Sequence, residues 1–282
     1  MARPARLEIA GAVYLIGVHC PLESRRLAFA DAADRDAMLA LLAQALRRFD
    51  AQALAYCLLP DQYHLLLFTR RANVSQLMRH VNSVYTQHHQ RRHRFSGPLF
   101  QGRFRAVLVD RERHLFDACR HLELMPVQRQ LARSAADWAG SSFRAHAGLE
   151  PAPQWLEVAG LHAHVLGRPA LTPAQQRLAG ARYARQVARQ PDVPLWPGRL
   201  REQIFLGDAA FAQRMRALAA RPQPAPRDAV WGDWLRRAGG NREQALWLAH
   251  TEGGLPMSRL AHALGLSVSR VSRLIAAAEQ AL

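Results

Sequence analysis

Lysine is absent from this sequence. All 38 basic residues are arginine, against 22 acidic ones, which gives a formal charge of +16 and a pI near 11.4. A GC-rich coding bias explains the choice of arginine and the abundance of alanine and leucine. It does not explain the charge excess, because such a bias leaves acidic residues in place. Cysteine is scarce: Cys20, Cys57 and Cys119 stand apart with no CxxC spacing, which excludes a disulfide framework and a zinc knuckle and fits buried thiols in a reducing cytoplasm. Long apolar runs are missing too. The opening "MARPARLEIAGAVYLIGVHC" places an apolar stretch after basic residues, but the stretch is too short for a bilayer and lacks a small-residue cleavage site. It reads as a first strand, and no membrane partner is expected. No internal repeat or low-complexity tract breaks the chain, which excludes a solenoid.

What is present is enough to fold. Hydrophobic residues make up 49% and charged residues 21% of 282 positions, so the chain can bury cores and divides naturally into two or three domains. A net positive charge of this size attracts phosphate polymers, because each neutralised phosphate releases condensed counterions.

The spacing of apolar residues predicts β-α-β-β at the start: a strand over Ala12 to Val18, a helix over Asp31 to Phe49, and strands over Leu54 to Leu59 and Tyr63 to Thr69 joined by a tight "PDQ" corner. Asn73 is placed to cap a helix reaching about Arg91, with Gln76 set for a capping box and Leu77, Val81, Val84 and His88 on one side. "FRAVLVD" supplies another strand, and a helix from about Glu112 to Leu124 should stop near Pro126. Strands alternating with helices predict an α+β, ferredoxin-like domain with one face of its sheet covered by helices. It is assigned to residues 1–148. Residues 149–220 read as a helical connecting region without strands, 221–228 ("RPQPAPRD") as a proline-rich linker, and 229–282 as an all-α module.

Three constellations can carry function. In "PMSRLAHALGLSVSRVSRLIAAAEQ", Leu260, Ala261, Leu264, Val271, Leu274 and Ile275 fall on inward faces on either side of Gly265, Leu266 and the capping Ser267. This is helix-turn-helix spacing, with Ser269, Arg270 and Arg273 turned outward where a recognition helix meets base edges. "RRHRFSGPLFQGRFR" carries Arg91, Arg92, Arg94, Arg103 and Arg105 with no acidic residue, interleaved with Phe95, Phe100 and Phe104. The arginines suit phosphates, and the rings either stack on unpaired bases or anchor the loop in the core. In "LPDQYHLLLF", strand alternation sends Gln62 and His64 to one face and Tyr63 to the other. A His-x-His there would clamp a metal; with Gln62 as one arm, the pair is a weaker set for transition metals.

Six segments in order, "MARPARLEIAGAVYLI", "AYCLLPDQYHLLLF", "VNSVYTQHHQRRH", "GPLFQGRFRAVLV", "LELMPV" and "WAGSSFRAHAG", resemble the REP-associated tyrosine transposases, a branch of the single-tyrosine HUH transposases. The C-terminal helices look like the extension found in some relatives. The resemblance implies a His-hydrophobic-His pair holding a divalent ion, a tyrosine that forms a 5′-phosphotyrosine link, and an Asn or Gln one helical turn later. By position the pair falls on Gln62 and His64, the tyrosine on His121 and the Asn on Met125. Only His64 survives, as a residual metal candidate. Met125 is a soft thioether unsuited to magnesium, and without a phenol the usual covalent intermediate cannot form.

The expectation is therefore a cytoplasmic, nucleoid-associated DNA-binding protein, a repurposed transposase without catalytic residues, cofactor or metal, that regulates transcription. Hairpin or single-stranded DNA would occupy the first domain and duplex the helix-turn-helix. One alternative is a working nickase needing Mg2+ or Mn2+, with His121 as nucleophile or, less directly, Tyr85. The other is a binder of structured RNA.

Overall fold

In the computed structural model, residues 7–21, 26–189, 200–220, 231–251, 253 and 255–280 are described. The chain forms two compact units, Met1–Ala220 and Arg221–Leu282. The proline-rich stretch 221–228 lies outside the described residues.

The first unit begins β1 (Ala12–His19), α1 (Ala32–Arg48), β2 (Ala51–Leu59), β3 (Gln62–Thr69), α2 (Val74–His93), β4 (Arg105–Val109) and α3 (Arg111–Gln128). The strands pair antiparallel in the order β2-β3-β1-β4, the α+β arrangement expected from the alternation of strands and helices. Asp31 caps α1 by accepting a bond from the Asp34 amide at 3.0 Å. Alternate residues of β1 serve opposite cores. Tyr14, Ile16 and Val18 face α1 and α2, meeting Met38, Leu42, Leu77 and Val81, whereas Val13 and Leu15 face α3, meeting Cys119 and Leu122. Helices thus cover both faces of the sheet, not one. The three cysteines are free and buried.

Several local expectations are corrected. Asn73 does not cap α2 with its side chain; its amide donates to the Phe49 carbonyl at 2.9 Å, fastening the end of α1 instead. The inner face of α2 is Leu77, Val81, Tyr85 and His89, while Val84 and His88 face solvent. Helix α3 runs through Pro126 to Gln128. The proline sits in the last turn, where its missing N–H costs the single bond to the Leu122 carbonyl with little helix left to disturb, and its own carbonyl accepts from the Leu131 amide at 2.8 Å.

The segment after residue 148 also differs from the strand-free reading. After α4 (Phe143–His146), α5 (Ala159–Leu166) and α6 (Pro173–Arg189), two short strands, β5 (Leu200–Arg201) and β6 (Phe205–Leu206), extend the same sheet, and α7 (Ala209–Ala219) follows. Strand β6 runs parallel to β4, with Leu108 opposite Phe205. A buried carboxylate fixes α6 against α3. Glu123 accepts bonds from Ser142 Oγ at 2.6 Å, Tyr183 OH at 2.5 Å and His146 Nδ1 at 2.6 Å.

The second unit contains α8 (Trp231–Arg237), α9 (Arg242–Thr251), α10 (Met257–Leu264) and α11 (Val268–Gln280). Trp234, Leu246, Leu260, Val271 and Ile275 form its core. Gly265 ends α10 at φ 62°, a left-handed conformation that favours glycine, and Ser267 Oγ accepts from the Arg270 amide at 3.2 Å to open α11. Among the described residues, no helix is long and apolar enough to cross a membrane.

Candidate nucleic-acid interface

The register of β1 against β3 decides what meets at the mouth of the sheet. His19 pairs with Gln62 and Gly17 with His64, so alternation sends Gly17, His19, Gln62 and His64 to the α3 face. Gly17 has a spatial reason to lack a side chain: a Cβ there would lie 3.2 Å from the His64 ring. The rings of His19 and His64 meet edge to face, with centroids 5.5 Å apart. Tyr63 points the other way, packing on Phe29 and donating its hydroxyl to Asn82.

His64 is half-buried, and its Nε2 is enclosed without a hydrogen-bond partner. Burial pulls its pKa down to about 3; the charges of His19, His121 and Arg129 push the same way, and Asp61 opposes them. His121, on α3, is buried and close enough to His64 to contribute to that shift, while Met125, one turn later, packs against the α3-side core. The fold therefore brings Gln62, His64, His121 and Met125 to one end of one face. These residues do not fit the divalent ion that the resemblance implies. A glutamine amide and a thioether replace an imidazole and an amide, and among the described residues the cleft groups do not gather three His, Cys, Asp or Glu donor atoms within 4.8 Å of one another. No chemical step through a metal follows from them.

A cleft of about 810 Å³ opens beside this face, lined in part by His19, Gln62, Asp61, Arg103, Arg105 and Arg129. Arg129 holds Asp61 in a two-pronged ion pair, at 2.6 and 3.0 Å. This pairing lowers the carboxyl pKa and raises that of the guanidinium. His19, Gly17 and the Asp61–Arg129 pair escaped the sequence reading. The alternation of Gly17 and His19 along β1 was the signal that could have found the first two.

The basic loop divides by residue. Arg91, Arg94, Arg103 and Arg105 are exposed. Arg92 is exposed as well, but its guanidinium is engaged, 2.5 Å from both Asp31 and Asp34. The phenylalanines take the anchoring role. Phe95, Phe100 and Phe104 pack against the core between the sheet and α2, with Phe100 stacked on Tyr85 at 6.1 Å. Tyr85 itself is buried, donates to the Ala28 carbonyl at 2.5 Å, and has its pKa raised by burial, which removes it as a nucleophile. In the second unit Ser269, Arg270 and Arg273 lie exposed on α11.

No family model matches the chain, and no curated protein matches it. Among solved structures, it is similar to a REP-associated tyrosine transposase bound to a REP hairpin. The likeness has 16% sequence identity and a TM-score of 0.47, over 56% of this chain and 94% of that one.

Proposed function

We propose that this protein binds DNA without cutting it, gripping a hairpin or single strand at the first unit and a duplex at the second. The observation that carries the reading is the arginine-lined cleft beside a site with His121 where the resemblance calls for a tyrosine. Arg103 and Arg105 supply positive charge along the cleft, Arg129 being offset by Asp61, and the overall charge of +16 favours any phosphate polymer. On α11, the exposed Ser269, Arg270 and Arg273 follow a three-residue turn, in the position from which a recognition helix reads base edges. Two binding modules on one chain raise affinity through effective concentration where both sites can be reached. Such a protein acts as a regulator of transcription.

A second reading rests on the approach of His121 to His64. Histidine can be a covalent nucleophile, so the pair could cut with altered chemistry. Labelled hairpin DNA incubated with the protein and Mg2+ or Mn2+, then run on native and denaturing gels, separates the two. A native shift with the strand intact supports binding alone. A cleaved strand or covalent adduct that disappears in His121→Ala overturns it, and preference for the RNA version of the hairpin would redirect the proposal to RNA.

A further inference from the structure

Away from the cleft, three potential ligands converge where α1 begins and α2 ends. His89 and His93 stand one helical turn apart and so share a face of α2. Asp34, in the first turn of α1, faces them. His93 Nε2 lies 2.9 and 3.0 Å from the two Asp34 carboxylate oxygens, His89 Nε2 lies 3.9 Å from the nearer one, and the three donor atoms all fall within 4.8 Å of one another.

We propose that Asp34, His89 and His93 bind one divalent transition-metal ion of the zinc class, which staples the first turn of α1 to the last turn of α2. In a tetrahedral zinc site with bonds of about 2.0–2.1 Å, donor atoms sit about 3.3 Å apart, and the observed separations bracket that spacing. Two imidazoles and a carboxylate suit zinc, cobalt or nickel better than magnesium or calcium. The Asp34 and His89 side chains are buried, whereas that of His93 is 28% exposed, which leaves an entry path and room for water as a further ligand.

The surroundings prepare His89 as a ligand. Neither of its ring nitrogens has a hydrogen bond of good geometry, yet the Leu27 carbonyl lies near enough to act on the ring. A carbonyl that takes the proton of one ring nitrogen leaves the lone pair of the other for a metal, the usual way a ligand histidine is oriented. Burial, followed by the nearby His93, lowers the His89 pKa and favours the neutral ring a metal requires. Arg92 is the competitor, since it holds Asp34 Oδ1. Its Nη1 also stands 3.1 Å from His93 Nε2, so a metal would displace it from both ligands while it keeps Asp31 as a partner. A metal here would sit directly before the basic loop. Phe95 meets His89 edge to face at 5.5 Å, so the ion would stiffen the base of that loop.

The test uses the untagged full-length chain, stripped with EDTA, reloaded with Zn2+ or Co2+ and dialysed. Elemental analysis reads the bound equivalents and visible absorption reads the cobalt ligand field. The expected result is one retained equivalent with a tetrahedral cobalt spectrum. His89→Phe and His93→Ala should each weaken binding at least tenfold while keeping the far-UV circular dichroism of the parent. The double variant His64→Ala/His121→Ala should retain the equivalent. Absence of a bound equivalent in the parent protein overturns the proposal without reference to any variant. With an equivalent present, retention in either α2 variant, or loss in the double variant, overturns it as well, because the ion would then be adventitious or seated in the cleft.

Discussion

Removing the hydroxyl of Tyr183 should destabilise the whole first unit, although Tyr183 lies in a segment that reads as a separate connecting region. Glu123 is fully buried and takes hydrogen bonds from Ser142, His146 and Tyr183, the last on α6. In Tyr183→Phe the ring keeps its contacts with Phe116, Phe143 and His146, so the loss is confined to one donor on a buried carboxylate. Leaving a buried acceptor short of its donor costs about 1–3 kcal/mol. Glu123→Ala strips the partner from three groups at once and opens a cavity, at roughly 3–5 kcal/mol. At about 2–4 °C per kcal/mol for a unit of this size, the two changes should lower its melting temperature by about 2–12 °C and 6–20 °C. Scanning calorimetry of the full chain reads both, with the transition of the second unit as an internal reference. Tyr183→Phe melting within a degree of the parent would show that α6 is not coupled to the sheet, and the reasoning would fail.

Restoring the implied site is a sharper test of the cleft: Gln62→His, His121→Tyr and Met125→Asn together should yield Mn2+-dependent cutting of single-stranded hairpin DNA, read as a covalent adduct on a denaturing gel, and an inert triple variant would refute the positional assignment. His64 should make stability pH-dependent. Its pKa is lowered from about 6.5 to about 3 in the fold, so the unfolded state binds the proton first, and its contribution, complete above about pH 6.5, is lost as pH falls toward 3, at on the order of 1 kcal/mol per pH unit. His64→Leu should flatten that part of the pH–stability curve measured by urea unfolding, and an unchanged slope would contradict the enclosed, neutral ring. Arg270→Ala and Arg273→Ala should weaken duplex binding and reduce its salt dependence by about one counterion each while leaving hairpin binding unchanged; equal losses on both DNAs in filter binding would count against two separate modules.

The parts of the fold legible in the sequence were those with a period. Strands β1 to β4 and helices α1 to α3 each carry enough alternating or helical apolar residues to announce themselves, and the opposite orientations of Gln62 and Tyr63 follow from the pleat. Strands β5 and β6 have two residues each and no period to read; they exist because β4 offers a free edge to Phe205 and Leu206. The ion pairing of Arg92 was illegible for a related reason. Its charge is visible in the sequence, but Asp31 and Asp34, which claim it, lie 61 and 58 residues away. His19 was passed over because one polar residue at the end of an apolar strand has no meaning until the register sets it opposite Gln62.

On the proposed reading, binding can outlast chemistry on one scaffold. A metal-dependent cut needs ligands placed within about 0.2 Å of fixed distances, together with a nucleophile held in line. On that reading, Gln62, His121 and Met125, standing where the resemblance implies His, Tyr and Asn, remove that possibility at three points. Attraction of a phosphate chain is more tolerant, because the field of exposed charges extends over a Debye length of about 8–10 Å at ordinary salt. Arg103 and Arg105 come from the loop before β4 and from β4 itself, and neither position depends on the identity of residue 62, 121 or 125. Gly17, meanwhile, keeps the space that the His64 ring needs. The arginines that charge the cleft are thus distinct from the residues that would cut beside it, of which only Gln62 also lines the cleft.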